Sequence, residues 1–288
     1  PAARAGTRVG AEIIAVDGAP YHPVRSFRGK SGRSASITLR AQAGADPYTA
    51  TVVVRAMAPL KAFEDATRAS ARIIERDGHR IGYIHVWASV GEAASRTLQQ
   101  TLDRLTVRPD DDGRGRGRRR GRDGQPPDAL IVDMRGRIGG TSENAGRYLD
   151  VIDRRDPVLE ALGGSRAPGT GVLRGHTAVL IDRHTRSTAE LFVHAYQRER
   201  QGPLIGARPA GAVSAARAFP MPADALLYLA VTGLRVDGEI LEGVGVAPDI
   251  AVERPIAYAA GPDPVLDAAV AHLADAMSKR PAPPGAPA

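Results

Sequence analysis

Short apolar runs alternate with amphipathic stretches along most of this chain, and that alternation leaves few folds open. Residues 81–86, 130–134 and 177–181 read as strands, the second of them buried. Residues 92–105 place Ala93, Leu98, Leu102 and Leu105 near helical spacing, and residues 142–151 and 189–200 also read as helices. Residues 204–205 make a further short strand, and residues 226–234 have β character before a turn at Val236-Asp237-Gly238-Glu239. A last helix over 263–277 has Pro264 in its first turn and Leu266, Val270, Leu273 and Met277 on one face. Strands interleaved with helices imply an α/β core, and no internal repeat is evident.

The first 57 residues differ. Strands at 12–16, 37–39 and 51–55 lie between turns, which predicts a small β domain. Residues 58–78 read as a linker to a core over 79–262, and residues 263–288 as the terminal helix followed by a disordered Pro/Ala tail. A chain of 288 residues, 43% hydrophobic, can bury one sizeable core and a smaller second one. There is no cysteine, so disulfides and thiolate metal sites are excluded. The histidines and carboxylates lack metal-ligand spacing and no glycine loop carries a phosphate-binding signature, so neither metal nor cofactor is expected. No apolar run approaches the roughly 18–20 residues needed to span a bilayer.

The net charge of +7 is unevenly spread. Arg114, Arg116, Arg118, Arg119, Arg120 and Arg122 fall in one Gly/Arg stretch behind Asp110-Asp111-Asp112. Without aromatics, residues 106–127 read as a disordered insertion closed by Pro126-Pro127, and no nucleic-acid partner is expected. The alternative is an RNA- or anion-binding segment. It predicts steeply salt-dependent binding that disappears when residues 110–125 are deleted.

The segment from Asp182 to Leu191 reads as a sharp polar turn between the strand at 177–181 and the helix that follows. Such a junction presents the Ser187 hydroxyl at the end of a sheet, among the free N–H groups of a helix N-terminus. A helix cap by Ser187 or Thr185 is the plainer alternative. Gly139-Gly140 closes another strand, where backbone without side chains can approach a ligand carbonyl; an ordinary strand-to-helix turn is the alternative there.

Five segments, in order, resemble the C-terminal processing (tail-specific) serine peptidases and their tricorn-like relatives. Residues 1–18 resemble the middle of a bacterial PDZ domain, and residues 79–86 the first strand of the peptidase core. Ala129-Leu130-Ile131-Val132-Asp133-Met134-Arg135-Gly136-Arg137-Ile138-Gly139-Gly140 is similar to the family's strand ending in Asp-Leu-Arg and a glycine-rich loop, with Ile138 where the family has its first glycine. The Ser187 segment resembles the nucleophile turn, with Glu190 three residues on, and Glu242-Gly243-Val244-Gly245-Val246-Ala247-Pro248-Asp249 resembles the closing Glu-Gly-x-Gly-x-x-Pro-Asp. The match covers roughly residues 1–255. It implies a peptidase core of the ClpP/crotonase-like type with a partial PDZ-like domain. The PDZ loop that captures a peptide carboxylate would lie upstream of Pro1, so the sequence reads as part of a longer protein. The resemblance also implies a polypeptide substrate and a periplasmic or secreted location.

By that resemblance Ser187 is the nucleophile, and N–H groups of Gly139, Gly140 and Thr188 form the oxyanion hole. The general base departs from the pattern. The processing peptidases carry a lysine about twenty-five residues after the serine, and that position is Ala212; their glutamine four residues later is matched by Ala216. The only lysines are Lys30, Lys61 and Lys279, none of them within residues 62–278, and guanidinium groups do not deprotonate usefully. In the tricorn-like branch a histidine from a segment before the PDZ domain is the base and a glutamate orients it, which here matches Glu242. A capping or surface carboxylate is the alternative for Glu242. Within the chain, His85 on the first core strand is a weaker candidate base, followed by His184 and His194. Two readings follow: a serine endopeptidase acting by acyl transfer, or a catalytically inactive peptide-binding descendant.

Overall fold

The computed structural model describes residues 5–88, 90–106, 127–137, 139–140, 176–222, 225–233, 235–236, 238–255, 257 and 261–279. The helix expected at 142–151 and the arginine-rich stretch within 106–127 lie outside the described residues, apart from the edges of that stretch. The chain divides into two compact units, residues 1–61 with 253–264, and residues 62–252 with 265–288.

The first unit holds a four-stranded antiparallel sheet in the order β2-β1-β3-β4, built from β1 (Glu12–Val16), β2 (Ala19–Pro20), β3 (Ser34–Arg40) and β4 (Tyr48–Val53). Strict alternation along β3 turns Ala35, Ile37 and Leu39 inward, where they meet Val16, Ala50 and Val52. Asp17 and Gly18 both have positive φ (50° and 80°) and join β1 to β2 as a two-residue turn.

The second unit is built on a six-stranded sheet in the order β14-β9-β8-β7-β6-β5. Its strands are β5 (Arg72–Arg76), β6 (His79–His85), β7 (Ala129–Asp133), β8 (His176–Ile181), β9 (Leu204–Gly206) and β14 (Ile250–Ala251). Only the β5–β6 pair is antiparallel. The central strands read as unbroken apolar runs because both faces of the sheet are covered. Ile84, Leu130, Val132, Val179 and Ile181 pack on one face with helices α2 (Gly91–Thr106) and α3 (Thr188–Arg198). Ile81, Ala129, Ile131, Ala178 and Leu180 pack on the other with α4 (Pro264–Ser278), whose Val265, Ala269, Val270 and Leu273 are buried.

Residues 58–78, expected as a linker, are structured. They form helix α1 (Pro59–Ser70) and the edge strand β5. Residues 253–262, expected to finish the core, group with the first unit instead. The β character expected at 226–234 becomes a hairpin of β10 (Ala216–Met221) and β11 (Ala225–Ala230), followed by the short pair β12 (Arg235–Val236) and β13 (Glu239–Ile240).

Candidate active site

The parallel arrangement brings the C-terminal ends of β6, β7 and β8 together, and the candidate residues lie there. After β8 the chain turns within five residues. The Asp182 carboxylate accepts the N–H groups of Gly136 and His184, both at 2.9 Å. The buried Thr185 hydroxyl accepts the Asp182 N–H at 3.0 Å and donates to the Met134 carbonyl at 3.0 Å. These bonds tie the turn after β8 to the loop after β7. The Arg186 N–H continues the tie to the Arg137 carbonyl at 3.0 Å.

Ser187 follows, with φ 58° and ψ −128°. Positive φ in a serine is strained backbone, and such strain persists only where surrounding contacts enforce it. Here its N–H donates to the Ala212 carbonyl at 2.9 Å, and its carbonyl accepts the Glu190 N–H at 2.8 Å. Ser187 stands at the N-cap position of α3, but its side chain makes no capping hydrogen bond. The backbone is held in an unfavourable well and the hydroxyl is left out of the helix terminus, unlike an ordinary cap.

Gly139 backs this serine. It has φ 95°, and a Cβ placed on it would stand 2.6 Å from Ser187 Cβ and 3.1 Å from Oγ. The loop after β7 thus reaches the serine only because position 139 has no side chain. Gly140 continues the same loop. Thr188, the first residue of α3, is buried, and its Oγ1 has no hydrogen-bond partner among the described residues.

Beneath that loop lies a buried ionic cluster. Asp133 Oδ1 accepts the Arg135 N–H (3.0 Å) and Nε–H (2.9 Å), and Oδ2 accepts Arg135 Nη2–H (2.6 Å) and the Tyr83 hydroxyl (2.7 Å). Burial alone would raise the Asp133 carboxyl, but His85, Arg135 and Tyr83 outweigh it and hold the carboxyl below its usual range. Tyr83 is pushed upward, first by burial and then by the Asp133 charge. His85 belongs to this cluster. Its Nε2 lies 2.8 Å from the Arg135 carbonyl, its Nδ1 lies 3.7 Å from Asp133 Oδ2, and its ring stacks on Trp87 at 3.8 Å. None of the hydrogen bonds of His85 or His184 reaches Ser187.

Ala212, the position at which the family resemblance expects lysine, does lie against the serine, through its backbone. Its loop is gripped by two glutamates. Glu190, buried on the first turn of α3, accepts the Gly211 N–H on Oε2 (2.9 Å) and the Ala212 N–H on Oε1 (2.8 Å). Glu242 Oε2 accepts the Val213 N–H (2.9 Å) and the Ser214 N–H (2.7 Å). Burial raises the Glu190 carboxyl, its bonds to Ala212 and Gly211 oppose that, and the Glu242 charge adds to the rise. Glu242 is exposed, and its carboxyl is lowered by the Ser214 N–H and hydroxyl and by the Val213 N–H. Among the described residues no group of three or more metal-ligating side chains is assembled, and no helix is long and apolar enough to cross a membrane.

The model of peptidase family S41 matches residues 80–252, the span that holds most of the large sheet, Ser187 and both glutamates. The chain belongs to peptidase family S41. Its relatives include a tricorn protease homologue of Streptomyces coelicolor, 27% identical over 99% of this chain and 24% of the relative. The carboxy-terminal processing protease CtpB of Bacillus subtilis is 23% identical over 91% of this chain and 52% of that protein. This chain therefore spans about a quarter of the first and half of the second. The crystal structure of the tricorn protease shares the fold, with a TM-score of 0.52 and 21% identity over 94% of this chain and 25% of that one.

Sequence reasoning placed Ser187 and Gly139 in loops that the fold does bring together, and Glu242 in the closing segment, where its carboxylate holds the Val213 and Ser214 amides. It passed over the grip of Glu190, the Asp182 turn and the Asp133–Arg135–Tyr83 cluster. The signal for Glu190 was available: a carboxylate among Ala189, Leu191, Phe192 and Val193 on an otherwise buried helix needs partners.

Proposed function

We propose that this chain carries the nucleophile-bearing part of a serine endopeptidase that cleaves polypeptides by acyl transfer. The observation that carries the reading is the strained, uncapped Ser187 packed on Gly139. Ser187 Oγ attacks the scissile carbonyl, and N–H groups of Gly139, Gly140 and Thr188 stabilise the developing oxyanion. The base is a histidine from a segment before Pro1 in the full-length protein, as in the tricorn-like branch, with Glu242 beside it; His85 is the weaker candidate. The first unit acts as a partial PDZ-like domain and the second as a ClpP/crotonase-like core. The substrate enters as an extended strand, and the protein works in the periplasm or outside the cell.

One observation favours a second reading, an inactive peptide-binding descendant. Ala212 presents only a methyl group where the processing peptidases place lysine, so the fold brings that position to Ser187 without a base. A serine-directed fluorophosphonate separates the two. The first reading expects covalent labelling of the full-length protein and cleavage of an unstructured reporter peptide, both abolished by Ser187→Ala. Equal behaviour of wild type and Ser187→Ala would remove it and leave the binding reading.

A further inference from the structure

Four consecutive backbone N–H groups, those of Gly211, Ala212, Val213 and Ser214, are taken by two carboxylates. A run of converging N–H groups is a natural anion cradle. The arrangement gathers two like charges, and the Glu242 charge is felt at Glu190. Like charges held close oppose each other, so the loop amides must offset that repulsion. A loop needing only satisfied amides could use water or one carboxylate.

The loop has a further connection that explains the arrangement. The carbonyl of Ala212 is the acceptor for the Ser187 N–H, and the carbonyl of Gly211 accepts the Gly243 N–H at 2.7 Å. Gly211 itself has φ 69°, and a Cβ there would stand 2.5 Å from the Val244 nitrogen and 2.7 Å from that of Gly245. The loop is pressed between the N-terminus of α3 and the turn of residues 242–245. Glu190 holds it from the helix side and Glu242 from the turn side.

Resting on the reading of Ser187 as nucleophile, we propose that Glu190 and Glu242 together form a clamp on residues 211–214 that fixes the Ala212 carbonyl and through it the strained backbone of Ser187. Both glutamates are positioning residues. Glu242 acts on the serine through the loop, a role distinct from orienting a base.

The test compares Glu190→Gln, Glu242→Ala and the double variant in the full-length protein, with fluorophosphonate labelling of Ser187 and amide hydrogen exchange at residues 211–214. A glutamine at 190 keeps the shape but sets an N–H₂ against one loop N–H. Misplacing a reacting group by about 1 Å can lower a rate by about 10²-fold, and Glu190→Gln is expected to reduce the maximal inactivation rate on that order with little change in inhibitor affinity. Glu242→Ala, at an exposed position that leaves the core untouched, removes the acceptor of the Val213 and Ser214 N–H groups and is expected to give a smaller loss of the same kind. The double variant should lose less than the product of the single losses, because both act on one loop. Faster exchange confined to the 211–214 amides accompanies each. A folded Glu242→Ala protein with wild-type labelling and wild-type exchange overturns the clamp, as does Glu190→Gln with both unchanged. If Glu190→Gln does not fold, the Glu242→Ala result alone decides. If the wild type is not labelled at all, the nucleophile reading fails, and the exchange data alone uphold or overturn the clamp.

Discussion

Gly139→Ala is expected to reduce fluorophosphonate labelling of Ser187 by about 10²–10³-fold, the loss usual when one oxyanion donor is displaced. The added methyl cannot be accommodated in place: it would sit 2.6 Å from Ser187 Cβ, and the residue would hold φ 95° with a side chain. The loop after β7 must therefore retreat from the serine. The ties nearer the strand end, from Asp182 to Gly136 and from Arg186 to Arg137, lie on other residues and stay in place. Thermal stability should fall by far less than reactivity does. Parallel measurement of labelling rate and melting temperature separates the outcomes. Wild-type labelling with the alanine in place would mean that this loop does not form the floor of the site. A collapse of stability would mean that position 139 serves the fold before the chemistry.

The core was legible where burial dominates local pattern. The strands at 81–86, 130–134 and 177–181 appear within a residue or two of expectation, since a sheet covered on both faces demands continuous apolar strands. The helix at 92–105 appears as Gly91–Thr106 for the same reason: its Leu98 and Leu102 are buried. The edge strand β5 was missed, although Asp77-Gly78 carries the signal for it. Both residues have positive φ, and they join Arg76 to His79 in a two-residue hairpin, as Asp17-Gly18 does between β1 and β2. Charged residues at Arg72, Glu75 and Arg76 hid that strand, as they commonly do at a sheet edge.

The site was legible only in part, because spacing in sequence says which loops exist and little about what fastens them. Ser187 and Gly139 could be named from their settings. That Ser187 would leave its cap unmade follows from the Ala212 carbonyl and from the clamp on residues 211–214, contacts that join positions more than twenty residues apart. Asp133 and Arg135 were visible only as part of a motif. Their bidentate pairing depends on a bend after β7 that no local pattern announces.

That pairing supports the second large effect. Asp133→Ala is expected to destabilise the protein by about 3–5 kcal/mol, because it removes the carboxylate paired with a buried guanidinium and takes the acceptor from the Tyr83 hydroxyl. For a unit of this size that is a fall in melting temperature on the order of 10 °C. The sign of its pH dependence follows from the carboxyl, whose pKa is lower folded than unfolded. Its contribution is fully present above the unfolded value of about 3.9 and is lost as pH falls through the lower folded value, so the gap between wild type and variant should close only in strong acid. A double replacement, Asp133→Leu with Arg135→Met, removes both charges and should recover much of the lost stability. It should not recover labelling of Ser187, since Arg135 begins the loop that carries Gly139 and the pair sets where that loop leaves β7. Melting temperature and labelling rate, measured on the single and double variants, decide the matter: recovery of both would make the ion pair a replaceable piece of the core, and recovery of stability alone would make it a support of the active site.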